Sequence, residues 1–330
     1  MIFQPAALAL LLAASLNALL LAGAGVFAWL LLRQWNPASA SERQIALERR
    51  TWLVSTLVGL ALVVSLPALA LFVHTADAMA PFFTGAMCAV GSLKANAWGL
   101  PALLAQLALF FLAAAWLVLN HLDQFGWDAP LILRKYCLLL VLAPLALIQA
   151  GMLWLYFLNL NPEVITSCCG SLFGPDSGGV ASDLAALPVD WSRPLFFGVL
   201  LATLATGEVF LKTGRLGGLF AGLAVLNLLV AIGAVVAFIA PYVYEQPNHH
   251  CPFCLLQAEH GYAGWLLYPP LFMGTAAGIG VGLAVSARGK ASLAEAAPSV
   301  ARGLAWVALA GLGGFGLAVV VFIVRSNLVL

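Results

Sequence analysis

Eight stretches of 18 to 28 residues pass with almost no charge: Pro5 to Leu32, Trp52 to Val73, Leu100 to Leu119, Tyr136 to Leu160, Pro194 to Leu211, Leu219 to Tyr244, Ala263 to Ala287 and Gly303 to Val324. An α-helix needs about 20 apolar residues to cross a bilayer, whereas a barrel strand needs only about 10 that alternate in polarity. Unbroken runs of this length therefore select helices, because each helix satisfies its own backbone hydrogen bonds in lipid. Composition agrees: 63% of the residues are apolar and 8% charged, against about 25% charged in a soluble domain. The expected fold is an all-α polytopic membrane bundle of about eight transmembrane helices in contact with the lipid bilayer. The first run lacks a basic n-region and a cleavage site and is longer than a signal-peptide core, so it is read as a retained helix.

The 14 Lys and Arg orient the bundle, since basic residues in short loops stay on the cytoplasmic side. With the N-terminus outside, eleven lie in cytoplasmic loops or at their edges: Arg33, Arg43, Arg49, Arg50, Arg134, Lys135, Lys212, Arg215, Arg288, Lys290 and Arg302. Lys94, Arg193 and Arg325 fall on the other face. Both termini are accordingly expected on the outer face.

The longest connection, Asn161 to Ser192, has 32 residues rich in Gly, Pro, Ser and Asp. It is too short to build a core, so residues 1–330 read as a single transmembrane domain with 161–192 as its longest outer loop. No internal repeat is evident. Gly214, Gly218 and Gly222 recur four apart, as do Gly274, Gly278 and Gly282, and both rows are expected to mark close helix packing. The segment from Pro81 to Asn96 is expected to fold back against the bundle. Asn17, Gln106, Gln149 and Asn227 are expected to hydrogen-bond between helices, and Glu208 to pair with Lys212 one turn on. No carboxylate stands alone at mid-depth, which speaks against a proton- or cation-coupled transporter. The net charge of +1 and the absence of nucleotide-binding motifs leave no nucleic-acid partner expected.

On this topology five of six cysteines, Cys88, Cys168, Cys169, Cys251 and Cys254, gather on the outer face, where thiols have oxidative chemistry available. The sharpest motif is His249-His250-Cys251-Pro252-Phe253-Cys254-Leu255-Leu256-Gln257-Ala258-Glu259-His260. If the helix of the seventh span begins here, its dipole favours thiolate at the first cysteine. Residues 251, 254, 257 and 258 then share a face, with Gln257 placed to hydrogen-bond a ligand over the sulfurs. An exchange-active pair, a structural disulfide and a metal site using His249 and His250 all remain open on the residues alone. Adjacent Cys168 and Cys169 suit a thiophilic ion of the copper or mercury type, or act as a dithiol, or pair elsewhere; Met87 beside Cys88 would suit the same soft ion. Five outer cysteines are an odd number, which favours exchange or metal binding over a purely structural set.

The run Cys251, Cys254, Gln257, followed by Tyr262, Trp265 and Tyr268 and an inward-running span, resembles the quinone-linked disulfide oxidases of the DsbB type. The resemblance covers Cys251 to Tyr268; Ala258 stands where that family carries an Arg, and the family bundle has four spans rather than eight. It implies that Cys251 and Cys254 pass electrons to a membrane quinone bound near Gln257, His260, Tyr262 and Trp265. It also implies that a second set of outer cysteines, here Cys88, Cys168 and Cys169, exchanges with a soluble outer-face thiol protein. The setting would be a bacterial inner membrane with the cysteine-rich loops in the periplasm. Two alternatives stand beside this thiol-disulfide oxidoreductase. One is a soft-metal binding protein or permease using Cys168, Cys169, Cys251 and Cys254 with His249, His250 and Met87. The other is a structural subunit partnered with other membrane subunits of a respiratory or secretion complex.

Overall fold

A computed structural model describes residues 3–36, 41–166 and 180–330. It contains eight helices long and apolar enough to cross a membrane, and among the described residues there is no strand. They are α1 (Pro5–Gln34), α2 (Glu42–Ala78), α3 (Gly99–Asp123), α4 (Ile132–Leu158), α5 (Val189–Thr213), α6 (Gly217–Ala234), α7 (Ala263–Ala287) and α8 (Ala296–Arg325). The sixth span runs on through a π turn, Val235–Ile239, and a last helical turn, Ala240–Tyr244. All eight predicted spans are present, and the chain is an all-α polytopic integral membrane protein. At 1.5 Å per residue even 25 residues extend about 37 Å, beyond the roughly 30 Å hydrocarbon core. That is why several helices outrun the apolar stretches and carry charge at their ends.

The chain packs as two compact units. The first comprises Met1–Met79, Ser92–Val164 and Gly289–Ala294 and holds α1 to α4. Each helix packs on the next, and α4 closes back on α1. Its core gathers Trp116, Tyr136, Leu139 and Leu142 around Leu21, Leu31 and Leu62. The α3–α4 hairpin is locked at its turn by a buried ion pair, Lys135 Nζ to Asp123 Oδ2 at 2.7 Å. Asp123 Oδ1 also accepts from the Leu131 N–H at 2.8 Å, and Lys135 Nζ donates to Asn120 Oδ1 at 3.2 Å. A helix-to-helix bond of the expected kind joins Gln106 Nε2 to the Ser65 carbonyl at 3.2 Å.

The second unit comprises Ala80–Gly91, Ile165–Arg288 and Glu295–Leu330. Its helices α5 to α8 follow the same cyclic order, with α5 on α6, α6 on α7, α7 on α8 and α8 back on α5. A fold-level recurrence of four spans is thus present where no sequence repeat is evident. Residues 80–91 lie between α2 and α3 in the chain and yet belong to this second unit.

The two glycine rows behave differently. A Cβ on Gly278 would stand 2.6 Å from Ala224 Cβ, one on Gly282 2.7 Å from Ala221 Cβ, and one on Gly274 2.9 Å from the Leu312 backbone nitrogen. These glycines let α7 approach α6 and α8 closely, as predicted. Around Gly214, Gly218 and Gly222 there is open space, so packing does not explain that row. Gly214 instead caps α5 in the left-handed region, at φ 70°, where a residue without Cβ is favoured. The Glu208–Lys212 pair forms at 3.3 Å on an exposed face.

Candidate functional site: a buried cysteine cluster

Two segments of the second unit build the site. The first is the loop through Cys88. Its Phe83 and Ala86 N–H groups donate to Ala80 O and Phe83 O, and the Thr84 carbonyl accepts from the Thr166 N–H at 2.9 Å. Gly85 sits at φ 85° directly against the Thr166 carbonyl, where a Cβ would collide with that oxygen, so the close crossing depends on glycine. Beyond Cys88 the chain turns into a short helix, Ala89–Leu93. Cys88, Ala89 and Val90 are buried, in keeping with the predicted folding-back.

The second segment carries Cys251 and Cys254. The expectation of a helix beginning at Cys251 is corrected: Cys254–Leu256 is a single 3-10 turn, Gln257 is extended at ψ 158°, and α7 starts at Ala263. Glycine at 261 and Tyr262, both at positive φ, redirect the chain before the helix can start. No helix dipole therefore acts on the Cys251 thiol, and Gln257 does not share a helical face with the cysteines. Two phenols hold the motif instead. Tyr244 Oη donates to the Cys251 carbonyl, and Tyr268 Oη donates to the Pro252 carbonyl, each at 2.5 Å.

The result is a cluster of three buried sulfurs. Cys88 and Cys251 are 0% exposed and Cys254 2%. Cys88 Sγ lies 3.6 Å from Cys251 Sγ although 163 residues separate them, and the three Sγ atoms all fall within 4.8 Å of one another. Gln257 pins the two segments together, its Nε2 donating to the Met87 carbonyl at 2.6 Å. Its side-chain amide is thereby engaged with the Cys88 loop rather than held ready for a ligand.

The remaining predicted residues surround the cluster without joining it. His249 and His260 lie against the Tyr244 ring, with centroids at 4.3 and 4.2 Å. His260 titrates below the usual histidine range, first because partial burial disfavours its charged form and then because His249 stands nearby. His250 Nδ1 lies 2.8 Å from the Val236 carbonyl, inside the π turn. Since a carbonyl only accepts, Nδ1 carries the proton. The Met87 side chain is 73% exposed, Tyr262 57% and Trp265 40%, the last two at the start of α7. Cys168 and Cys169 lie outside the described residues. Cys137, the cysteine predicted on the opposite face, is exposed on α4. Tyr244 is the residue that sequence reading passed over as a mere span end. Its one signal is a phenol seven residues before Cys251 at the close of an apolar run.

Three buried sulfurs in mutual reach can do two things: trade a disulfide among themselves, or surround a thiophilic ion. Comparison with protein-family models, curated proteins and solved structures finds no match to this chain.

Proposed function

We propose that the protein is a membrane thiol-disulfide oxidoreductase whose relay is Cys88, Cys251 and Cys254. The observation that carries this reading is the placement of a third sulfur, from a loop far away in sequence, 3.6 Å from the first cysteine of a Cys-x-x-Cys. Such a trio exchanges without any outside oxidant: the Cys88 thiolate attacks Cys251 of a Cys251–Cys254 disulfide, the Cys88–Cys251 bond forms, and Cys254 leaves as thiolate. The cysteine-bearing unit has four spans, the number in the DsbB-type bundle that the motif resembles.

In this reading a soluble outer-face thiol protein exchanges with the outer cysteines, among them Cys168 and Cys169, and a membrane quinone is the other electron partner. A quinone takes two electrons and two protons when a dithiol closes to a disulfide. The residues present suit such a group: Tyr262 and Trp265 offer exposed aromatic faces and a phenol, and backbone bonds from Gln257 N to Cys254 O and from Tyr262 N to Gln257 O tie them to the cysteine turn. Gln257 acts by holding the Cys88 loop on Cys251. The cysteine-bearing end would face the periplasm of a bacterial inner membrane, as the distribution of Lys and Arg suggests.

A second reading rests on the same distances. Three thiolates bound at about 2.3 Å to one ion stand about 4 Å apart, within the 4.8 Å spread of the cluster. Cys88 would then complete a soft-metal site in place of His249, His250 or Met87. Both readings are tested on the purified full-length protein. Alkylation under non-reducing conditions, with and without a short-chain quinone, is expected to reveal both the Cys88–Cys251 and the Cys251–Cys254 bonds, with quinone raising their combined share at the expense of the reduced trio. One fixed pairing, indifferent to quinone and to a glutathione buffer, would overturn the exchange reading. One Cu(I) or Hg(II) bound per reduced chain and lost in Cys88→Ser supports the metal site, whereas unchanged stoichiometry in that variant removes it.

A further inference from the structure

The first unit, which carries none of the clustered cysteines, has a polar layer of its own. Each of its four helices contributes one hydrogen-bonding side chain to the lining of a central cavity: Asn17 from α1, Ser65 from α2, Gln106 from α3 and Gln149 from α4. Asn17 is 9% exposed, and Gln106 and Gln149 are 3% each. Lipid and apolar side chains offer such amides nothing, and an amide buried without a partner is costly. Two of the needs are met: Gln106 Nε2 donates to the Ser65 carbonyl and Ser65 Oγ to the Leu62 carbonyl. The Asn17 Oδ1 acceptor, fully buried, has no partner among the described residues.

We propose that this cavity binds a single water molecule, which donates to Asn17 Oδ1 and joins it to the amides of α3 and α4. Size and chemistry both select that ligand. The cavity volume is about 20 Å³; one water needs roughly 10 to 15 Å³ measured in this way, together with two to four polar partners. An ion is disfavoured because the lining holds no charged side chain to replace its hydration, and an apolar occupant would leave Asn17 unsatisfied. The water makes the amide layer complete, so that the four helices share one hydrogen-bonded centre. This site is independent of the cysteine cluster and of the function proposed for it.

X-ray hydroxyl-radical labelling of the full-length protein in lipid nanodiscs tests the proposal, because radicals made from a bound water mark the buried side chains touching it. Leu109 and Leu153 line the cavity and are each 1% exposed, while Leu31 and Leu139 of the same unit are equally buried at 0% and lie away from it. Leu109 and Leu153 are expected to label several-fold faster than Leu31 and Leu139, and the excess is expected to vanish in Asn17→Leu. Equal rates for the two pairs in the unmodified protein would overturn the proposal. Should Asn17→Leu fail to fold, density in a high-resolution structure of the unmodified protein decides. A peak within hydrogen-bond distance of Asn17 Oδ1 supports the water, and a direct bond from the Gln149 amide to Asn17 Oδ1 across a closed cavity removes it.

Discussion

Gln257→Leu isolates the contact that holds the two cysteine segments together. In the folded protein Gln257 Nε2 donates to the Met87 carbonyl at 2.6 Å, one residue before Cys88, and leucine removes that donor while keeping similar bulk. A neutral hydrogen bond of this kind contributes about 0.5 to 1.5 kcal/mol net. If it favours only the state with Cys88 docked on Cys251, its loss shifts the docking equilibrium by about 2- to 12-fold, since 1.4 kcal/mol is a factor of ten. The quantity to measure is the ratio of the Cys88–Cys251 to the Cys251–Cys254 disulfide at equilibrium in a glutathione buffer, read by mass spectrometry after alkylation. Both bonds share Cys251 and interconvert by exchange, so the ratio reports docking and not the buffer potential. Gln257→Leu is expected to lower it by that factor. Gln257→Glu, which as a carboxylate has no N–H to donate, is expected to lower it as well. A ratio unchanged in both variants would refute the reasoning, because it would mean that the Cys88 loop stays on Cys251 without this bond.

Further outcomes follow from the packing and from one titrating group. Lys135→Met leaves the Asp123 carboxylate buried without its ion partner and is expected to cost about 3 to 5 kcal/mol in unfolding from detergent, with Asp123→Asn in the same chain recovering much of the loss; a cost below about 1 kcal/mol would place the pair in water. Gly278→Ala is expected to destabilise by about 1 to 3 kcal/mol, because the new Cβ meets Ala224 and forces α6 and α7 apart. Gly222→Ala, in open space, is expected to stabilise by about 0.5 to 1 kcal/mol through helix propensity, and paired thermal melts compare the two. The lowered His260 titration means that the unfolded chain binds its proton more readily. Stability from this group is therefore full above the ordinary histidine pKa of about 6.5 and falls as pH drops through the lowered value, and His260→Gln is expected to flatten that part of a pH–melting profile.

Sequence alone determined the membrane fold and its eight spans, because apolar run length is a local property that lipid reads directly. It also singled out the cysteines, histidines and Gln257 around Cys251, since thiol and imidazole chemistry is evident in residue type. Local reading failed where neighbours overrule propensity. The helix expected at Cys251 is displaced to Ala263 because Gly261 and Tyr262 adopt positive φ and the phenols of Tyr244 and Tyr268 hold the turn open. The open space around Gly218 and Gly222, against the tight seam at Gly278 and Gly282, could not be told from identical spacing. Above all, only tertiary structure decided that Cys88, set between two helices of the first unit, belongs to the second and stands against Cys251. A contact across 163 residues leaves no periodicity in the chain; it exists because Gly85 allows the loop to cross Thr166 and Gln257 fastens its far side.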